Sequence, residues 1–315
     1  MFLDRHQPVR RAAPGTTKNG FMRDTDNNIR LENATGAGPA AVRPLRYATV
    51  LSVAGSDSIG GAGIQADIKT CTALGVYAMT VVTAVTAQNT VGVRLYCGVG
   101  GAMARAQMEA VFDDETPDAV KIGMVPDADT AVAVAGVLRS RYAGPVVLDP
   151  VAVATSGDRL SDDSAAGAVV RELFPLAAVI TPNIPEARML TGMEITSEAG
   201  MEAAAREIIR HYGARAVLVK GGHLAEAGAS GCADILVDGT STHIYRGEVV
   251  DTPNTHGTGC TLSSAIASYM ARGYALADAV AHAKDWLAAA LRSGAAYSFG
   301  HGHGPVNHLH GICRQ

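Results

Sequence analysis

Between residues 48 and 292, short apolar runs alternate with helix-length segments, and this alternation limits the fold more than any other feature. Apolar runs at 48–54, 79–86, 119–122, 145–148, 177–180 and 216–220 are strand-sized and mostly continuous. Helical segments lie between and beyond them: one entered after the glycine-rich stretch 55–70 and ending near Gly75, then 102–112, 127–142, 161–174 with Ser161 as its cap, 197–212 closed by Gly213, 261–272 and 276–292. Continuously apolar strands separated by helices predict a mainly parallel sheet covered by helices on both faces. Residues 233–237 and 242–245 flank Asp238-Gly239, a hairpin signal that predicts an antiparallel pair at one edge. The run 246–250 also reads as a strand. The expected fold is therefore a single α/β domain over 46–312, a three-layer α/β/α sandwich.

Residues 1–45 read differently. They are rich in Arg, Asn, Gly, Thr and Pro without a sustained apolar period, and are expected to form a disordered extension. Apolar residues make up 48% of the chain, enough for a sizeable core, while charged residues are only 18% and the formal net charge is −4. That balance argues against nucleic acid and anionic membranes as partners. No apolar run is long enough for a membrane span. Five scattered cysteines without a CxxC pair fit reduced thiols in a cytoplasmic setting.

In parallel α/β sheets, ligands gather at the carboxyl ends of the strands, and the unusual residues of this chain lie there. Asp251 to Ser264, DTPNTHGTGCTLSS, joins the last strand-like run to an apolar helix. Its glycines permit a tight turn, and the amides around Gly257, Thr258, Gly259 and Cys260 would point out of a helix N-terminus, where anions bind. The helix dipole is expected to lower the pKa of Cys260. The alternative is a glycine turn with a structural cysteine.

The other strand ends carry similar pairs of readings. The loop 55–67 either wraps a small polar ligand or is a tight strand-to-helix connection. Asp67 either faces the same pocket or is an exposed helix carboxylate. Gln88 offers a donor and an acceptor, which suits a heterocycle edge, or it satisfies loop backbone. Asp149, Asn183 and Glu186 are hard oxygen ligands suited to Mg²⁺ with phosphate; equally, Asp149 is a turn residue and the other two are helix caps. Thr155, Ser156 and Gly157 suit a phosphate or an ordinary turn. Lys220, followed by two glycines, would meet a nucleotide phosphate or pair with a carboxylate. The histidines at 301, 303, 308 and 310 match no familiar zinc spacing and read as structural or incidental.

Taken together, GSDSIGGAGIQADIKT, TAQNT, KIGM, LDPVAVATSGD, TPNIPEA, VKGGH, NTHGTGCTLSSAIA and GPVNH, in this order, resemble the hydroxymethylpyrimidine/phosphomethylpyrimidine kinases of thiamine biosynthesis, in the ribokinase-like superfamily. The resemblance covers about residues 47–310. It implies ATP- and Mg²⁺-dependent phosphorylation of 4-amino-5-hydroxymethyl-2-methylpyrimidine, then of its monophosphate. It implies that Gln88 reads the pyrimidine edge, that Gly55, Ala62, Asp67, Thr86 and Met124 line the pocket, and that Cys260 lies beside the hydroxymethyl group. Asp149 and Glu186 would belong to the metal, and Asn183, Lys220, Thr155 and Ser156 to the nucleotide. The Gly257–Cys260 amides would form the anion hole. Cys260 would take the substrate proton late or mainly shape the pocket. The family also suggests a homodimer. Three positions depart from the commoner motif, namely Ile59, Ala152 and Pro253, the last of which stands where a basic residue is frequent. A pyridoxal kinase is the competing enzyme. The joint presence of Asn183, Glu186, Lys220 and Cys260 argues against a non-catalytic sensor.

Overall fold

The computed structural model describes residues 46–151, 163–222 and 232–312. The N-terminal extension expected over 1–45 and the helix cap expected at Ser161 lie outside the described residues.

Nine strands form one sheet among the described residues, in the order β3-β2-β1-β4-β5-β6-β7-β8-β9. The central strands are β1 (Thr49–Ser56), β2 (Tyr77–Gln88), β4 (Ala119–Ile122), β5 (Val146–Leu148), β6 (Val179–Ile180) and β7 (Ala216–Val219), all paired in parallel. Successive residues of one strand serve opposite faces. Val50 and Leu218 pack on one side, Leu51 and Val217 on the other, so the strands are apolar throughout. One face is covered by α1 (Gly63–Ala73), α7 (Thr258–Ala271) and α8 (Leu276–Gly294), the other by α2 (Gly101–Asp114), α3 (Ala128–Arg141), α5 (Ile184–Thr191) and α6 (Glu198–Tyr212). The helix α4 (Asp163–Glu172) joins the second set. This is the ribokinase-like three-layer arrangement.

Both edges are antiparallel. The expected hairpin is β8 (Cys232–Asp238) with β9 (Ser241–Gly247), turned at Gly239 with φ +57°. The second edge was not anticipated. There β3 (Val93–Gly98) pairs antiparallel with β2. Most of β3 is exposed, and its short alternation of Val93, Leu95 and Cys97 buries no core face. The expected strand over 246–250 stops at Gly247. Beyond it the chain leaves the edge strand to reach the start of α7.

Helix ends follow local chemistry. Asp127 and Ser197 cap α3 and α6 by accepting the amides of Thr130 and Gly200. Gly213 closes α6 in the left-handed region at φ +70°. Among the described residues, no helix is long and apolar enough to cross a membrane.

Candidate active site

The turn before α7 is held in a shape that only glycine tolerates. Gly257 is the N-cap at φ +81°, and a Cβ there would collide with the Gly61 carbonyl. Close approach of the two glycine-rich stretches therefore depends on both lacking side chains. The Thr258 amide is partly used, since it donates to the Thr255 carbonyl at 3.2 Å. The Gly259 and Cys260 amides have no backbone acceptor among the described residues and lie at the positive end of a 14-residue helix. The expected anion hole thus narrows to Gly259 and Cys260, with Gly257 shaping the turn.

Lys220 and Asp149 lie against this turn. Lys220 Nζ donates to Asp149 Oδ1 at 2.8 Å, and Thr181 Oγ1 donates to the same oxygen at 2.9 Å. A Cβ on Gly259 would sit 3.2 Å from Asp149 Oδ2 and 3.4 Å from Lys220 Nζ. Burial works against the Lys220 charge, but the carboxylates of Asp149 and Glu186 outweigh it and raise the pKa. Asn183 and Glu186 form a capping box at the start of α5, each side chain accepting the other's backbone amide at 2.8 Å. An isolated bridge joins Asn183 to Lys220, which places the capping box beside the ion pair. Thr155 and Ser156 lie outside the described residues.

The glycine loop after β1 forms the other wall. Asp57 organises it: Oδ2 accepts the amides of Gly61 and Ala62 at 2.9 and 2.8 Å, and Oδ1 accepts that of Ile59 at 3.1 Å. Gly55 lies against Met124: a Cβ there would press to 2.8 Å from Met124 Sδ, and the thioether would have to move. Thr86 Oγ1 donates to the Ser56 carbonyl at 2.8 Å. Ser58 Oγ donates to the Gln88 carbonyl at 2.7 Å and accepts the Gln88 amide at 2.8 Å. Gly55, Ala62, Thr86, Gln88 and Met124 are thereby brought to one place.

Two expectations change. Cys260 keeps partial exposure, yet desolvation pushes its thiol up to about 11. The nearby Lys121 pulls it down, as does the Gly63 amide, while Asp67 and Asp149 push it further up. Burial therefore sets the direction of the shift, opposite to the expected lowering. Asp67 does not present its carboxylate to the pocket: it is wholly buried, and accepts from Ser52 at 2.5 Å, Ser264 at 2.7 Å and Lys121 at 2.8 and 2.9 Å.

Sequence reasoning missed Lys121 and the pairing of His256 with Asp57. His256 Nε2 lies 2.8 Å from Asp57 Oδ2 and ties the glycine loop to the turn before α7. A lone lysine in the strand AVKI was the available signal for a buried partner. The C-terminal histidine segment returns to the same turn. The His256 amide donates to the Gly304 carbonyl at 2.9 Å, and His308 Nε2 lies 3.0 Å from Thr261 Oγ1.

Comparison with known proteins shows the family. The family model for phosphomethylpyrimidine kinase matches residues 57–307. The chain is 49% identical to the hydroxymethylpyrimidine/phosphomethylpyrimidine kinase of Rhizobium meliloti, over 84% of this chain and 97% of that protein. It is 50% identical to the thiamine biosynthesis bifunctional protein ThiED of Geobacter sulfurreducens, again over 84% of this chain, but it spans only 53% of that longer protein. Among solved structures, the ADP complex of Bacillus subtilis pyridoxal kinase superposes with a TM-score of 0.76 at 34% identity, covering 84% of this chain and 98% of that one. With its glycine loop, ion pair and helix N-terminus assembled as described, the chain belongs to the phosphomethylpyrimidine kinase family.

Proposed function

We propose that this kinase transfers the γ-phosphoryl group of ATP to the hydroxymethyl oxygen of 4-amino-5-hydroxymethyl-2-methylpyrimidine. A second ATP then phosphorylates the monophosphate to the diphosphate used in thiamine biosynthesis. The observation that carries this reading is the junction at Gly259. There, unpaired helix amides meet the Lys220–Asp149 pair on one side, with Cys260 following and the glycine loop on the other.

Phosphoryl transfer passes through a loose transition state, so catalysis is mostly positioning and charge stabilisation. The Gly259 and Cys260 amides supply fixed donors where charge develops. Lys220 adds a held positive charge beside them. Gln88 meets the pyrimidine edge, and Gly55, Ala62, Thr86 and Met124 enclose the ring. A thiol with a pKa of about 11 is protonated at neutral pH, which favours a pocket-shaping role for Cys260 over that of a general base. Asn183, with Thr155 and Ser156, belongs to the nucleotide side.

Mg²⁺ is part of the same reading. Asp149 Oδ2 is aimed at the start of α7 and takes no hydrogen bond among the described residues, a hard oxygen donor suited to this ion. Asp149 and Glu186 would hold it, and when bound it neutralises phosphate charge. A homodimer in the cytoplasm completes the proposal; light scattering on the purified chain and cell fractionation test those two points.

The test of function is product analysis after incubation with Mg-ATP and the pyrimidine, with pyridoxal in parallel. Mono- then diphosphate is the expected result. Monophosphate alone would place the loss at the second step and implicate Pro253. Turnover of pyridoxal only would overturn the proposal.

A further inference from the structure

We propose that His256, held by Asp57, orients the Gln88 amide and so sets a preference for a ring bearing an amino group next to a ring nitrogen. This rests on the reading that Gln88 meets the heterocycle.

The argument is one of donors and acceptors. Asp57 Oδ2 already accepts two backbone amides when His256 Nε2 approaches it at 2.8 Å. An oxygen so surrounded is an acceptor, and the proton between the two residues sits on His256 Nε2. The Asp57 environment agrees. Burial acts to raise its pKa, but the His256 hydrogen bond and the loop amides lower it further, so the carboxylate is ionised. A ring nitrogen bearing hydrogen has no in-plane lone pair left to accept.

The nitrogen of the Gln88 amide nevertheless stands 3.4 Å from that same His256 Nε2. Two donors would face one another. Exchanging the amide oxygen and nitrogen, which have the same shape, removes the conflict. Gln88 Oε1 then accepts from His256 Nε2–H, which it shares with Asp57.

The same exchange satisfies the other end. Thr86 Oγ1 lies 2.8 Å from the Ser56 carbonyl and 3.3 Å from the second Gln88 amide atom. Its one hydrogen goes to Ser56 at the shorter distance. That leaves only lone pairs toward Gln88, which an amide N–H satisfies and an amide oxygen does not. With the amide turned, each contact along the chain Asp57–His256–Gln88–Thr86–Ser56 pairs a donor with an acceptor.

Orientation matters because a primary amide held at both ends keeps one N–H and one lone pair for a ligand, on fixed sides. An amino hydrogen and an adjacent ring nitrogen complement that pair in one arrangement. A ring without the amino group leaves the second lone pair of the Gln88 oxygen without a donor on binding, and a site built to hydrogen-bond a substrate group rejects the analogue that lacks it. His256 is in this sense a positioning residue.

The test has a spectroscopic and a kinetic arm. In the wild-type protein at neutral pH, long-range ¹H–¹⁵N correlation is expected to show hydrogen on His256 Nε2. In kinetics, His256→Leu is expected to raise KM for the aminopyrimidine about tenfold, as for loss of one positioning hydrogen bond. KM for 5-hydroxymethyl-2-methylpyrimidine, the same ring without the amino group, should stay near its wild-type value. His256→Gln, which keeps an N–H near the position of Nε2, should restore most of the discrimination. Hydrogen on Nδ1 alone, equal losses on both compounds, or no rescue by His256→Gln would each overturn the inference. If His256→Leu does not fold, the wild-type spectrum and His256→Gln carry the test. Should the wild type phosphorylate neither pyrimidine, the kinase substrate reading fails instead. The His256 spectrum and the Gln88 side-chain amide shifts still decide whether His256 orients Gln88.

Discussion

Cys260 shows how a single residue is governed by opposed local effects. A thiol in the first turn of a helix is favoured as thiolate by the dipole and free amides. Here desolvation, with the carboxylates of Asp67 and Asp149, outweighs the pull of Lys121 and the Gly63 amide, so the pKa rises to about 11. Alkylation by iodoacetamide, followed by mass spectrometry of the Cys260 peptide, should therefore accelerate about tenfold per pH unit from pH 7 to 10, as the thiolate fraction grows. A plateau below pH 9 would mean that the helix terminus prevails after all. The identity of this residue was readable in HGTGC, because the motif sits between a strand-like run and an apolar helix. Its acidity was not, because desolvation depends on what packs around it.

At the scale of elements, the buried Asp67–Lys121 pair joins α1 to β4 and reaches β1 through Ser52 and α7 through Ser264. Ser264 lies one turn beyond Cys260, so this cluster anchors the helix whose N-terminus carries the proposed anion hole. Both charged side chains are 0% exposed. Removing one partner leaves an uncompensated buried charge, whereas replacing both with apolar groups is often nearly neutral. Lys121→Met is expected to lower unfolding free energy in urea by about 3–5 kcal/mol. Lys121→Met combined with Asp67→Leu should recover much of that loss. If the single and double variants are equally unstable, the pair is not the source of the effect. The position of Asp67 one turn into α1 permits either a pocket-facing or an exposed carboxylate, and the family resemblance implies the pocket. Only the neighbouring strand, with Lys121 in its middle, decides which way the carboxylate turns.

For the whole molecule, the segment 300–308 closes the chain back onto the site. His301 and Gly302 donate their amides to Thr90 Oγ1, Gly304 accepts from His256, and His308 packs beside Thr261. Burial, then the Lys69 charge, depresses the pKa of His308 from 6.5 to about 4. The unfolded chain binds this proton below about pH 6.5 and the folded chain only below about 4, so the unfolded state gains protons first as pH falls. His308 should remove on the order of 3 kcal/mol of stability between those two values, at 1.36 kcal/mol per pKa unit. Asp57, whose pKa is depressed from 3.8, loses its contribution at lower pH, as the medium passes through its folded value. Urea denaturation of the wild type and His308→Leu from pH 4 to 7 separates the two windows: the variant should have a flatter profile. An unchanged slope would sink the assignment to His308. The sequence by itself determined the layer architecture, the strand ends where the candidate site residues gather and the hairpin at Gly239. Apolar periodicity and glycine chemistry act over a few neighbouring residues and are visible in any short stretch. The second antiparallel edge, the buried Asp67–Lys121 cluster, the raised Cys260 pKa and the Asp57–His256–Gln88 chain were decided only by tertiary structure. Each depends on which distant residue arrives opposite, 199 positions away for Asp57 and His256, and that proximity sets desolvation and hydrogen-bond partners alike.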